Sequence, residues 1–471
     1  MTSLKFGTSG LRGLVTELVG LPTYAHVRAF CAVLREDGVS GEILIGQDLR
    51  SSSPLIASQC AQAVADVGLV PVACGAVPTP ALALAAMTAG SPAIMVTGSH
   101  IPDDRNGLKF YRAEGEIDKA DEQRILAQHQ ALGLETAPEV TVSPTSRDVL
   151  SGYVARYSGF FGQALSGMTI GVYEHSSVGR DVIGTVLSAL GATPVSLGRS
   201  DRFIPVDTEA LRPEDEQLAA QWAGERRLDA IVSTDGDADR PLVADESGRF
   251  LRGDLVGALT ARLLGADAIV TPVTSNSALD RPSAFAQVVR TRVGSPYVIA
   301  GMAQAKAQGA RIVIGFEANG GVLLGSDVTR NGKTLPALPT RDAMLPILST
   351  LALARSQGTT LGALAGEASF AVALSNRLQE IPQERTAALI ARLDAEDPTF
   401  RDSAFADHGG VAARDDRDGL RLTLGSGATV HFRPSGNAPE LRVYVEAADQ
   451  VQAEALMAQY LGFAAAQTRP A

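Results

Sequence analysis

The stretch Pro92-Ala93-Ile94-Met95-Val96-Thr97-Gly98-Ser99-His100-Ile101-Pro102 decides how the chain is read. A short apolar run bounded by turn formers reads as a fully buried strand. Here it is cut off by a hydroxyl, a glycine, a second hydroxyl and an imidazole. Open α/β sheets place their ligands just past the carboxyl ends of buried strands, so Ser99 is the first candidate for chemistry. The same residues would also serve a plain strand-to-loop turn.

Outward from this point the chain alternates. A helical stretch at 24–35 leads to a strand at 42–48 that ends in polar residues and Arg50-Ser51-Ser52-Ser53. An Ala-rich helix, a strand at 69–72 and a break at Pro78-Thr79-Pro80 precede a helix at 81–87, which feeds the strand before Ser99. Strands alternating with helices imply βαβ units and a mostly parallel sheet. The rhythm recurs at 169–173 with a helix at 178–190, at 230–233, at 268–271 and at 311–314. The expectation is three similar mixed-sheet α/β domains whose polar loops converge on one central cleft.

After about residue 368 short strands cluster, at 370–375, 420–424, 429–432 and 441–446, with a helix at 384–396. Grouped strands with helices at the ends predict a smaller C-terminal α+β domain. Linkers are expected at 136–146 and 248–254, giving domains at 1–145, 146–253, 254–368 and 369–471.

Composition agrees with a soluble globular chain too long for one core: 471 residues, 45% hydrophobic, 20% charged and 5% aromatic. Forty-one Lys and Arg against 52 Asp and Glu leave a net charge of −11, with no basic stripe of the kind nucleic acid requires. Any phosphate recognised is therefore expected on a small molecule. Cys31, Cys60 and Cys74 form no C-x-x-C pair and lie in apolar or Ala-rich sequence, as buried reduced thiols do. The opening MTSLKFGTSG has no apolar signal region and no later run would span a bilayer, so no membrane role and a cytoplasmic location are expected.

Four further loops carry polar groups. Phe6-Gly7-Thr8-Ser9-Gly10-Leu11-Arg12-Gly13 can bring backbone N–H groups and one guanidinium to an anion, but it is neither a P-loop nor a nucleophile elbow. Asp235-Gly236-Asp237-Ala238-Asp239-Arg240 puts three carboxylates at alternate positions, which repel one another unless a cation binds them. A hard divalent ion, Mg²⁺ above all, suits that set. Asp235, Asp237, Asp239 and Glu246 also match the acidic positions of an EF-hand loop, but Arg240 stands where that loop needs glycine. Gly315-Phe316-Glu317-Ala318-Asn319-Gly320-Gly321 offers a carboxylate and a carboxamide in a glycine frame, suited to sugar hydroxyls or to a turn. Arg433-Pro434-Ser435-Gly436-Asn437-Ala438-Pro439-Glu440-Leu441-Arg442 sets two guanidiniums around one turn, suited to phosphate or to a surface hairpin.

Taken in order, these loops resemble the α-D-phosphohexomutase family, which includes phosphomannomutases and phosphoglucomutases. The resemblance runs from Phe6 to Ala447. It implies that Ser99 carries a phosphoryl group and that Mg²⁺ is held by Asp235, Asp237, Asp239 and an oxygen on Ser99. It also implies that Arg12, His100, Lys109 and Arg240 surround the phosphoserine, with Lys109 moving the proton. Glu317 and Asn319 would bind the sugar, and Arg433, Ser435, Gly436, Asn437 and Arg442 the substrate's other phosphate. The implied reaction interconverts hexose 6-phosphate and hexose 1-phosphate through a hexose 1,6-bisphosphate.

Some positions depart from the family's common forms. Gly98 and Ile101 stand where the serine loop usually has Ala and Asn, Asn319 where the sugar loop often has Ser, and Asn437-Ala438 where Thr-Glu is common. The sugar loop and the segment 203–209 look most like phosphomannomutase-type members, with phosphoglucomutase next and phosphoglucosamine mutase after it. The segment 290–297 looks like an additional loop of the third domain. Two other classes compete: a phosphosugar-binding protein without catalysis, and a serine hydrolase using Ser99 and His100. The intact catalytic set argues against the first, and adjacency of nucleophile and base argues against the second.

Overall fold

The computed structural model describes residues 4–7, 10–281, 285–394, 398–435 and 439–468. Its first sheet runs in the order Lys5–Gly7, Gly10–Leu14, Arg105–Arg112, Ala93–Val96, Glu42–Gln47, Val70–Ala76, Thr145–Ser146, with Gly115–Glu116 paired to the side of Arg105–Arg112. Glu42–Gln47 pairs in parallel with both Ala93–Val96 and Val70–Ala76, as βαβ units require. The Ser99 loop does not lead to another crossover, however. The chain turns back as Arg105–Arg112, antiparallel to Ala93–Val96 and to Gly10–Leu14.

The next two sheets repeat this plan. Thr193–Leu197, Thr169–Tyr173 and Ala230–Thr234 are parallel, and Pro241–Ala244 returns antiparallel after the acid loop. Gln287–Thr291, Ala268–Pro272 and Val313–Phe316 are parallel, and Val322–Leu324 returns antiparallel after the Glu317 loop, followed by Leu338–Asp342. Each polar loop is thus the connection between a buried parallel strand and its antiparallel neighbour. Equivalent hairpins on three similar sheets deliver equivalent loops, which is the topological reason they can meet.

Apolar burial fixes the strands. Ile94, Met95 and Val96 are fully buried, each side chain contributing about 1.5–3 kcal/mol by leaving water. The helix Thr79–Ala89 starts with Pro80 in its first turn and stops at Gly90, whose φ of 60° is left-handed. It extends beyond the 81–87 expected, because the Thr-Pro pair opens the helix instead of preceding it. One continuous core links the first three units, from Leu44 and Tyr111 through Val172 and Ile183 to Leu259 and Leu348.

The fourth sheet is antiparallel throughout: Val372–Leu378, Leu441–Ala447, Thr429–Pro434, Leu420–Leu424, Val411–Asp415. It has a separate core of Leu420, Leu422, Val430, Phe432, Val443 and Tyr460 under the helix Gln450–Thr468. The connections between the units are ordered, and one strand starts later than expected. The expected linker at 136–146 is tied down, since Gln62 Oε1 accepts from Thr141 N at 2.9 Å and Val142 N at 3.1 Å, and Thr145–Ser146 adds a parallel strand. The expected linker at 248–254 ends inside the helix Gly253–Leu264. The strand expected at 311–314 lies at Val313–Phe316, because Arg311 and Ile312 bond through their N–H groups to the Asp267 carboxylate. Cys31, Cys60 and Cys74 are free and buried.

Candidate active site

Ser99 sits in left-handed backbone, φ 55°, and Ala238 in the acid loop at φ 58°. Non-glycine residues held there cost on the order of 1 kcal/mol each and persist where surroundings over-determine them. For Ser99 the surroundings are Thr97, whose Oγ1 accepts from Ser99 N at 2.8 Å, and Arg50, whose Nη2 donates to Ser99 O at 3.0 Å. Arg50 also donates to the carbonyls of Ile101, Pro102 and Arg105 and to Asp48 Oδ2. Asp48 in turn accepts from Thr97 Oγ1 at 2.8 Å and Ser53 Oγ at 2.5 Å. A Cβ on Gly98 would lie 2.6 Å from Arg50 Cζ, so glycine there is what lets the guanidinium reach the loop.

From this cradle Ser99 Oγ donates to Asp235 Oδ2 at 2.6 Å and lies 3.3 Å from His100 Nδ1. Lys109, on the returning strand, donates to Asp237 Oδ2 at 2.6 Å and Asp239 Oδ2 at 2.7 Å. Thr79 Oγ1 donates to Asp237 as well, at 2.6 Å. Arg240 Nε is 3.9 Å from Asp235 and 3.7 Å from Asp239. Arg12 faces the same cluster: its guanidinium is pushed down to about 10 by burial and then by Arg240 and Arg341. The structure therefore brings Ser99, His100, Lys109, Arg12, Arg240 and the three aspartates together.

Charge is sharply partitioned in this space. Burial, with Asp237 and Asp239 beside it, holds Asp235 well above the carboxylate range. Burial also works to raise Asp239, but Arg341, Lys109 and Arg240 outweigh it and hold the group low. Lys109 is raised, because Asp237 and Asp239 outweigh the burial that would lower it. Burial and the cations Arg240 and Arg12 keep His100 far below its ordinary value, hence neutral.

One oxygen from each of Asp235, Asp237 and Asp239 lies within 4.8 Å of the others. Asp237 Oδ1 and Asp239 Oδ1 are buried and have no hydrogen-bond partner among the described residues. Orphaned anionic oxygens in a hard-oxygen set fit a divalent cation such as Mg²⁺, and Ser99 Oγ bonds the third carboxylate of the set, Asp235.

Glu317 and Asn319 are buried at the next loop. Asn319 Nδ2 is 3.4 Å from Glu317 Oε2 and Asn319 Oδ1 accepts from Gly321 N at 3.0 Å, so the carboxamide shapes its own loop. Thr208 Oγ1 donates to Asn319 O at 2.9 Å, tying the loop to the second domain. Arg433 and Arg442 are cross-strand partners in the fourth sheet. Arg433 Nε donates to Asp418 Oδ2 at 2.8 Å, and the same oxygen accepts from Val293 N at 2.9 Å. Arg442 lines a cavity of about 400 Å³ together with Asp207, Glu209, Arg252 and Ala318. Ser99 does not line it and is only 2% exposed. Ser435 is buried beside these residues, and Gly436 and Asn437 lie outside the described residues.

The segment 290–297 has a structural part: Arg290 donates to the carbonyls of Pro272, Ser275 and Asn276, and Arg292 Nε to Arg417 O. Sequence reasoning missed Asp48, Thr79 and Arg341, and saw Arg50 only as the polar end of a strand. The clustered Asp48 and Arg50 just past a buried strand were the available signal.

Family models for the four domains of phosphoglucomutase/phosphomannomutase match in order: the alpha/beta/alpha domain I at residues 3–135, domain II at 153–248, domain III at 252–369 and the C-terminal domain at 380–462. The chain belongs to the phosphoglucomutase/phosphomannomutase family. Among relatives of this family, a phosphomannomutase of Sinorhizobium fredii is 50% identical, over 97% of this chain and 98% of that protein. A phosphomannomutase of Salmonella muenchen is 43% identical, over 96% and 94%. The fold is shared with a phosphoglucomutase/phosphomannomutase family protein of Burkholderia thailandensis, TM-score 0.78 at 21% identity, covering 99% of this chain and 98% of that one. As a phosphoglucomutase/phosphomannomutase, the protein is a phosphohexomutase and its substrate is a phosphorylated hexose. No described helix is long and apolar enough to cross a membrane.

Proposed function

We propose that this phosphohexomutase interconverts mannose 6-phosphate and mannose 1-phosphate, with Ser99 as the phosphoryl carrier and a hexose 1,6-bisphosphate as intermediate. The observation that carries the reading is the 2.6 Å bond from Ser99 Oγ to Asp235, inside a cluster of three carboxylates and their matching cations. The phosphomannomutases similar over nearly the whole chain support the choice of mannose. We place the reaction in the cytoplasm and take the domains as 1–145, 146–253, 254–368 and 369–471.

In the first half-reaction the bond from phosphorus to Ser99 Oγ breaks as a bond to the free sugar oxygen forms. The sugar hydroxyl loses a proton and Ser99 Oγ gains one. The proton the sugar gives up is the one Ser99 Oγ ends with, so the half-reaction needs only a relay: Lys109 and neutral His100, the latter 3.3 Å from the serine oxygen, are the groups that take it and pass it on. Arg12 and Arg240 stabilise charge on the transferring oxygens. Mg²⁺ held by Asp235, Asp237 and Asp239 would supply Lewis-acid stabilisation of the same oxygens. Glu317, on the loop that Asn319 shapes, accepts from sugar hydroxyls. Arg433, Ser435, Gly436, Asn437 and Arg442 hold the phosphate that is not transferred. After the bisphosphate turns over, Ser99 takes back the other phosphoryl group, and the fourth domain, with its own core, moves to admit both orientations.

Epimers differ in one hydroxyl's direction, so turnover decides the label. Rates on mannose, glucose and glucosamine phosphates, each primed with a little hexose 1,6-bisphosphate, should rank mannose first. A strong preference for glucose or glucosamine would contradict the mannose assignment and leave the mechanism standing.

A further inference from the structure

The short strand Leu338–Asp342 carries Arg341 into the wall between the metal loop and the sugar loop. Arg341 is 5% exposed. Its Nε donates to Asp239 Oδ2 at 3.2 Å, Nη2 lies 3.0 Å from the same oxygen, and Nη1 donates to Glu317 Oε2 at 3.2 Å. One planar guanidinium therefore spans a carboxylate of the second domain and a carboxylate of the third. Its path is kept open by Gly321, where a Cβ would fall 2.9 Å from Arg341 Cδ.

The strand itself is pinned on both sides of Arg341. Thr340 Oγ1 donates to Glu116 Oε1 at 2.9 Å, from the first domain. Asp342 accepts from Tyr153 OH at 2.6 Å and also from Tyr157 OH. The arginine is thus presented from a fixed base, and a fork of this shape sets direction as well as charge.

We propose that Arg341 is a positioning residue for the phosphoryl transfer: it fixes Glu317 relative to Asp239, so that a sugar hydroxyl held by Glu317 is delivered in register with Ser99. Sugar recognition and the metal loop are then one rigid unit, although they belong to different domains. The inference rests on the reading of Glu317 as the sugar ligand. Lysine cannot replace the arginine fully, because an ammonium is a point charge and cannot face both carboxylates with a planar fork.

The test is binding of mannose 1-phosphate by calorimetry in a Ser99→Ala background, where no turnover intrudes. Arg341→Met should weaken binding about ten- to a hundredfold, the worth of one hydrogen bond to a charged group. Glu317→Ala should weaken it by a similar factor, the double variant by no more than either alone, and Arg341→Lys by an intermediate factor. Arg341→Met binding as tightly as the parent, or losses that multiply in the double variant, would overturn the positioning role. If Arg341→Met fails to fold, Arg341→Lys decides: unchanged binding overturns the role and partial loss supports it. Glu317→Ala binding as tightly as the parent would instead overturn Glu317 as the sugar ligand.

Discussion

Ser99 Oγ and Asp235 Oδ2 are 2.6 Å apart, the direct contact between the serine loop of the first sheet and the acid loop of the second. Two loops 136 residues apart in sequence meet there because each is the hairpin after a buried parallel strand.

Removal of the metal should abolish turnover without unfolding the protein, since Lys109 and Arg341 already neutralise the acid loop. Chelation followed by readdition of Mg²⁺ should restore the rate. Asp237→Asn should raise the half-saturating Mg²⁺ concentration roughly tenfold or more. Activity indifferent to a chelator would count against the metal assignment.

The cradle of Ser99 should be sensitive to Arg50. Arg50→Ala removes four carbonyl contacts and leaves Asp48 unpaired in the interior, which should cost about 3 kcal/mol or more in denaturant unfolding. Gly98→Ala forces a methyl against the guanidinium and should cost about 1–3 kcal/mol while lowering kcat. Wild-type kcat in Gly98→Ala would show that the loop does not depend on this contact.

Acid should destabilise the fold through three buried histidines. Burial pushes His26, His175 and His431 each down to about 4 from 6.5. A folded value below the unfolded one means that the unfolded chain binds more protons in this window. The stabilisation is full above the unfolded value, near 6.5, and is lost progressively as pH falls toward about 4. Between about pH 7.5 and about pH 5.5 the three together should lower unfolding free energy by about 3–4 kcal/mol. Denaturant midpoints measured across that range check it, and a flat profile would show the histidines to be solvated.

The serine, acid and sugar loops were legible because each interrupts an apolar run, and a polar cluster at the end of a buried strand is visible in one dimension. The returning strands were less so. Arg105–Arg112 has Leu108, Phe110 and Tyr111 as its apolar residues, interrupted by Lys109, whose buried charge is paired with Asp237 and Asp239 far along the chain, so the run is too broken to mark it as a strand. Val411–Asp415 is an edge strand with three exposed residues and no apolar run. Thr145–Ser146 exists through its pairing with Val72 and Ala73. Arg341 belongs to no motif: its role depends on Gly321 and on carboxylates supplied by two other segments, which only the packed structure brings together.

Ser99 as the phosphoryl carrier predicts a covalent adduct at that one side chain. Intact mass after incubation with hexose 1,6-bisphosphate, with peptide mapping, should give a single phosphoryl adduct on Ser99 that is lost to added hexose monophosphate. Ser99→Ala should take up none and lose activity by on the order of 10⁴-fold or more. A phosphoryl adduct elsewhere, or mutase activity retained by Ser99→Ala, would show that Ser99 is not the carrier.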